Sequence, residues 1–238
     1  QRQMCIRDRG YSVGLVDLDI YGPSMSLMFG TKERPGANEN DEFLPVTAHG
    51  VKLLSMGLLI NESDPVAVRG PLATRYVQQF LRNVAWGDVD FLILDLPPGT
   101  GDIQLTIVQT AELDGVVVVT TPQEVALIDA RKAIGLFERV ETPILGVIEN
   151  MSYFQCPSDG KIYHIFGEGG GEREAAKLGV PLLGKIPLDI ATRSGGDEGR
   201  PVALEDPEQN PVSAAFRQVA EQLSLIHISE PTRQAEIS

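Results

Sequence analysis

The sequence contains no glycine–lysine loop of the kind that cradles nucleotide phosphates. Cysteine is almost missing as well. Cys5 and Cys156 are the only two in 238 residues, which excludes a disulfide framework and makes a reducing cytoplasm the expected location. Basic residues are scarce, with 20 Lys and Arg against 33 Asp and Glu and a net charge of −13. That balance argues against a nucleic-acid-binding face and against a polybasic membrane patch. No apolar run approaches the ~20 residues of a membrane helix, and no signal peptide is visible. What is present, 42% hydrophobic and 22% charged, suits one globular α/β domain that can bury a large core without staples.

Two stretches do not read as protein. The head, QRQMCIRDR, and LSLIHISEPTR from Leu223 to Arg233 fit neither a helical nor a strand period. Both back-translate into the transposon-end adapter used for sequencing libraries, in the orientations adapter read-through produces. Residues 1–9 and 223–238 are therefore expected to be adapter-derived, with residues 10–222 a domain cut at both ends; natural disordered termini are the alternative. On this reading Cys5 and His227 leave the functional argument, and Cys156 is the one cysteine to explain.

Between those ends, strands alternate with helices. Val13 to Val16 is a short apolar run ending in Asp17-Leu18-Asp19 and a Gly-Pro turn. VKLLSMGLLI is a second β-like run. ATRYVQQFLRNV places Tyr76, Phe80 and Val84 on one helical stripe, with Val77 and Leu81 beside it. DFLILDLPPGTGD opens as a continuous apolar strand, as expected in a parallel sheet covered on both faces. GVVVVTTPQ is another strand, followed by a helix with Leu127, Ala130, Ile134 and Phe137 at helical intervals. PILGVIENMS, a short helix EREAAKLG stopped by Gly179, and a last strand PLLGKIPLD complete the pattern. The expected architecture is α/β, a doubly wound and mostly parallel sheet. In such sheets ligands bind beyond the carboxyl ends of the strands. Asp17 and Asp19, Asp95 to Asp102, Thr120 to Gln123, and Asn150 all sit there, which implies one shared site.

The chemistry of those ends has a functional and a structural reading at each position. A carboxylate at Asp95 can hold Mg²⁺ directly or through water, or it can simply cap the Pro-Pro turn. Gly99 lets a backbone N–H approach a γ-phosphate because no Cβ intervenes, so the turn can sense whether that phosphate is present. Asp17 and Asp19 alternate along a strand and so point to opposite faces unless the strand ends between them. Functionally, Asp19 positions or deprotonates a water and Asp17 supports the magnesium from behind; structurally, both are turn residues before Gly-Pro. Asn150 can offer its amide to an adenine edge, or it can end a strand for conformational reasons. Cys156, in FQCPSDGKIYHIFGEGG, is a thiol in a polar loop, a metal or cluster ligand or an inert side chain. Asp159 and His164 are possible supplementary ligands. His49, in a polar loop, has no expected role.

VGLVDLDIYGPS, VRGPLATR, DFLILDLPPGTGDIQLT, VVVVTTPQEVALIDARKAI, GVIENMSYFQCP, IFGEGGGEREA and LLGKIPLD, taken in order, resemble the Mrp/ApbC/Nbp35-type P-loop ATPases, which are iron–sulfur cluster carriers of the MinD/ParA/NifH-like superfamily. The resemblance spans nearly all of residues 10–222. It implies a GKGGVGKS-like phosphate loop upstream of Tyr11, so that this chain would lack its first β–P-loop–α unit, expose an unpaired sheet edge or gap, and bind ATP weakly or not at all. It also implies ATP and Mg²⁺ as ligands, with Asp19 and Asp17 catalytic and Asp95, Gly99, Thr100, Asn150 and Pro187 around the nucleotide. Family members are homodimers that bridge a labile [4Fe-4S] cluster with a Cys-x-x-Cys from each subunit and deliver it to apoproteins. Here Cys156-Pro157-Ser158-Asp159 keeps the first cysteine and has Asp at the second, and carboxylate is a harder, poorer cluster ligand. Neither nucleic acid nor membrane is an expected partner. Two other functions compete: a MinD/ParA-like positioning ATPase, and a metal-free ATPase scaffold.

Overall fold

The computed structural model describes residues 2–7, 10–59, 70–99 and 101–229. In chain order the first elements are α1 (Arg2–Arg7), β1 (Val13–Asp17), α2 (Met25–Met28), β2 (Gly36–Ala37), β3 (Phe43–Leu44), β4 (Val46–Ala48) and β5 (Val51–Ser55). Then come α3 (Gly70–Arg82), β6 (Phe91–Asp95), α4 (Asp102–Thr110), β7 (Val116–Thr120), α5 (Glu124–Arg139) and β8 (Ile144–Glu149). The last are β9 (Phe154–Gln155), β10 (Ile162–Tyr163), α6 (Gly170–Leu178), β11 (Leu182–Lys185), α7 (Ile190–Asp197) and α8 (Pro211–Ser229). The chain folds as two compact units, Gln3–Glu112 with Ile190–Glu205, and Leu113–Asp189 with the chain from Asp206.

In the first unit the strand order is β4-β5-β1-β6, with β1 parallel to both neighbours and β4 antiparallel to β5. One face of this sheet is filled by Val16, Leu18, Leu54, Met56, Ala73, Val77, Phe80 and Ile107, all buried. The α3 side of that core is Ala73, Val77 and Phe80, spaced as successive turns of one helix face. Tyr76 and Leu81 flank it, partly buried. Val84 lies past the end of α3 and instead bridges Phe43, so the expected stripe is one turn too long. VKLLSMGLLI also stops being strand early: Ser55 Oγ accepts the Gly57 N–H and opens a short 3₁₀ turn over Met56–Leu58.

In the second unit the order is β11-β8-β7, all parallel. Here α5 buries Leu127, Ile134 and Phe137 with Ala130 beside them, as the helical spacing predicts. α6 ends at Gly179, whose φ of 69° is the left-handed geometry of a glycine cap.

Two expectations need correction. β6 and β7 are not covered on both faces: each is the terminal strand of its sheet among the described residues, and Leu92 and Val119 are 42% and 43% exposed. The described parts of the head and tail are helical where no helical period is expected, while residues 8–9 and 230–238 lie outside the described residues. Met4, Cys5 and Ile6 are consecutive apolar residues, and α1 buries all three. α8 runs on through Leu223 and Ile226, which continue its apolar face onto Ile148, Leu183, Ile186 and Val219. Among the described residues no helix is long and apolar enough to cross a membrane.

Candidate functional site

Register places the first group of site residues. β1, β5 and β6 end level with one another, so that Asp17 is paired with Ser55 on one side and Asp95 on the other. Asp17 is 1% exposed. Its Oδ2 accepts from Ser55 Oγ at 2.8 Å and from Met25 N at 3.3 Å, and its Oδ1 accepts from Asp19 N at 3.2 Å. Burial pushes the Asp17 carboxyl above the usual carboxylate range, the Ser55 hydroxyl opposes that, and the neighbouring Asp95 charge adds to it. β1 ends at Asp17, so strand alternation does not govern Asp19. Asp19 is half-buried, and its Oδ1 accepts from Gly22 N at 3.0 Å, fastening the Gly-Pro turn.

After Asp95 the chain turns through Pro97 and Gly99. Gly99 has φ of 92°, and among the described residues beyond its chain neighbours nothing lies within 4 Å of where a Cβ would stand, so glycine is required there for backbone conformation and leaves the approach open. Thr100 lies outside the described residues. Gln104 of α4 is buried and donates from Nε2 to the Pro97 carbonyl at 2.7 Å, holding the turn against the helix; its Oε1 is buried and has no partner among the described residues. Ser55 and Gln104 are not visible as site residues in the sequence. Ser55 is brought in by strand register, and Gln104 looks like an ordinary polar residue on a helix.

The remaining site residues belong to the second unit. Its strands also end level, with Glu149 paired to Thr120 and to Lys185. Asn150 follows directly. Its backbone N–H donates to the Thr120 carbonyl at 2.7 Å, and its Oδ1 accepts from Met151 N at 3.0 Å. Cys156 opens the loop between β9 and β10, closed by Cys156 N to Lys161 O at 2.9 Å and Gly160 N to Cys156 O at 2.8 Å. Its sulfur lies 3.0 Å from Ser158 Oγ. That hydroxyl, helped by the Ser158 and Asp159 backbone amides, pulls the thiol below its ordinary range. Asp159 accepts the Lys161 N–H at 3.0 Å, has the Lys161 ammonium at 3.7 Å, and is held below the usual range first by that backbone bond. Pro187 is buried and lines, with Cys156, Tyr153, Asp189 and Val212, a cleft of about 260 Å³.

The structure therefore brings Asp17 together with Asp95, and Cys156 together with Asp159 and Pro187. His164 does not join that loop's donors; its Nε2 lies 3.6 Å from Glu168 Oε1. Among the described residues no three His, Cys, Asp or Glu side chains form a group able to hold a metal ion. Cys156 and Asp159 of one chain thus supply at most half of a four-ligand cluster site.

Comparison with known proteins follows the same lines. Residues 3–224 match the family model described as NUBPL iron-transfer P-loop NTPase. The iron–sulfur cluster carrier protein of Aquifex aeolicus is 46% identical over 219 residues, covering 91% of this chain and 60% of that protein. The chain thus spans about three fifths of that relative's length. A nucleotide-binding protein from Archaeoglobus fulgidus, solved in complex with ADP, superposes with a TM-score of 0.72 at 35% identity, over 83% of this chain and 78% of that one. The cell division ATPase MinD of Pyrococcus furiosus shares the fold, with a TM-score of 0.67 at 24% identity over 94% of this chain and 90% of that one.

Proposed function

Since this chain belongs to the family of NUBPL-type iron-transfer P-loop NTPases, we propose that it is the switch-and-cargo portion of an ATP-dependent iron–sulfur cluster carrier. The observation that carries the reading is the pair of strand-end carboxylates, Asp17 and Asp95, in direct register beside a glycine turn whose backbone is open. A buried carboxylate whose proton affinity is raised by burial and by a neighbouring carboxylate is suited to a divalent cation, here the Mg²⁺ that arrives with ATP. Asp95 holds that ion, and Asp17, already committed to Ser55, braces it from behind. Gly99 and Thr100 meet the γ-phosphate. Asp19 orients the attacking water and takes its proton as the bond to the leaving ADP breaks. Asn150 reads the adenine, and Pro187 borders the nucleotide.

The cluster is cargo. Cys156 supplies a thiol already biased toward thiolate, and a second copy of the chain supplies the other half of the ligand set, so the working carrier is a homodimer. Its recipients are apo iron–sulfur proteins, and its location is the cytoplasm. The sequence has no Gly-Lys-Ser/Thr phosphate loop; this stretch by itself therefore binds MgATP weakly or not at all, and a thermal-shift titration showing tight stabilisation by MgATP would contradict that.

Asp159, standing where a second cysteine would complete Cys-x-x-Cys, favours one rival: a metal-free ATPase scaffold. Iron and acid-labile sulfide, measured after anaerobic reconstitution of the full-length protein, separate the two. The carrier retains both, loses them in Cys156→Ala, and holds more in Asp159→Cys. A full-length protein that retains no iron in any of the three forms is the scaffold.

A further inference from the structure

Glu149 is the last residue of β8, is 0% exposed, and has no part in the chemistry above. Both of its carboxylate oxygens are engaged: Oε1 accepts from Ser152 Oγ, and Oε2 accepts from Gly171 N, in the first turn of α6, at 2.6 Å. Its own carbonyl accepts from Ile186 N at 2.8 Å, and Ser152 N donates to the Ile186 carbonyl at 2.9 Å. The two residues between these anchors are Asn150 and Met151. Met151 has φ of 51°, a left-handed conformation that a side-chain-bearing residue adopts only when its surroundings hold it.

Close packing makes the arrangement specific. A Cβ on Gly171 would lie 3.0 Å from Glu149 Cβ, and one on Gly170 would lie 2.5 Å from the Pro122 carbonyl oxygen. The glycines let α6 bring its N-terminal amides onto the carboxylate, where the helix dipole favours negative charge. TTPQ, ENMS and GEGGGE, three separate motifs of the sequence, thus meet around one buried acid.

We propose that Glu149 is a positioning residue: it fixes the turn from which Asn150 presents its carboxamide and thereby sets the preference for adenine over guanine nucleotides. This rests on the reading that Asn150 contacts the base. A carboxamide pairs its C=O with the N6 amino group of adenine and its N–H with a ring nitrogen, whereas guanine offers two acceptors on the corresponding edge. Asn150 Oδ1 already accepts the Met151 N–H, so the plane of the carboxamide depends on the Met151 backbone. A turn that relaxes rotates that plane away from the base, and the discrimination falls while phosphate binding persists.

The test measures ATP and GTP affinities by competition titration of the full-length protein as wild type, Glu149→Gln, Ser152→Ala and Asn150→Ala. The preference for ATP is expected to fall about ten-fold in Glu149→Gln, the worth of one misaligned hydrogen bond, and by a smaller factor in Ser152→Ala, with GTP affinity unchanged in both. A lower melting temperature in Glu149→Gln with an unchanged ATP/GTP ratio makes Glu149 a helix cap alone and overturns the proposal. Should Glu149→Gln fail to fold, Ser152→Ala, which leaves the carboxylate in place, decides by the same ratio. If Asn150→Ala leaves the ratio unchanged, the base-reading premise fails; if it abolishes the preference while Glu149→Gln keeps it, only the positioning role fails.

Discussion

The strand-end carboxylates and the loop thiol are built in opposite ways. Asp17 is welded into the centre of a sheet, with Ser55 and Asp95 level on either side and a packed apolar layer beneath, and its charge is disfavoured there. Cys156 sits at the rim of a two-residue-strand hairpin, stabilised by turn hydrogen bonds, and its charge is favoured. A group that must meet a cation in one fixed place gains from a rigid frame, even one that raises the cost of its charge. On the reading proposed above, a thiol that accepts and releases a cluster gains from a thiolate that needs no large rearrangement.

The largest expected difference between the two regions is in their dependence on packing. Phe80 is 0% exposed beneath the carboxylates, and Phe80→Ala should cost about 3–5 kcal/mol in denaturant unfolding. Ile162, on the hairpin beside Cys156, is 55% exposed, and Ile162→Ala should stay within about 0.5 kcal/mol. Comparable losses would mean that the hairpin is as much a part of the core as α3, and the contrast would collapse.

A smaller effect separates the two charges themselves. Because burial raises the Asp17 carboxyl above its ordinary 3.8, the folded chain binds that proton more tightly than the unfolded chain. Stability from this group is therefore greatest below 3.8, declines as pH rises through the window up to the raised value, and stays reduced above it. Asp17→Asn keeps the shape and removes the charge; its oxygen in the Oδ2 position still accepts from Ser55 Oγ and Met25 N, and the bond from Asp19 N is given up. In chelator at neutral pH it should be more stable than wild type by about 0.5–2 kcal/mol, with a flatter pH dependence of its melting temperature. A less stable Asp17→Asn would show that the carboxylate is a net structural asset, and the opposition drawn above would be wrong.

Much of this was legible in the sequence, for identifiable reasons. Long apolar runs and helical spacing announced the α/β alternation, and strand-end acids announced Asp17 and Asp95, because both signals are local. Glu149 was missed because its partners, Ser152 and Gly171, lie 3 and 22 residues away and only folding joins them. The one available clue was an acid closing an otherwise apolar run, PILGVIE. The opposite-face argument for Asp17 and Asp19 did not apply because the strand ends between them. The expectation that FLILD is covered on both faces failed at Leu92, since composition cannot say which strand ends a sheet. Met4, Cys5 and Ile6 are not expected as core because residues 1–9 are read as adapter-derived, and six helical residues are too few to show a period against that reading.

The finest distinction concerns which neighbour tunes the thiol. Ser158 lowers it through its hydroxyl, and the Asp159 carboxylate opposes that by accepting a hydrogen bond from the protonated thiol. The two substitutions should therefore move the reaction with iodoacetamide in opposite directions. Ser158→Ala raises the pH at which alkylation reaches half its maximal rate, and Asp159→Asn lowers it, with neither altering the denaturation midpoint because both residues are exposed. The opposition of sign is what makes the measurement informative. A general loosening of the loop shifts both variants the same way, toward a free cysteine in water, whereas direct contact with the sulfur shifts them apart. Movement in the same direction would place Cys156 among inert surface thiols and weaken its case as a cluster ligand, while leaving the carboxylates of the first unit untouched.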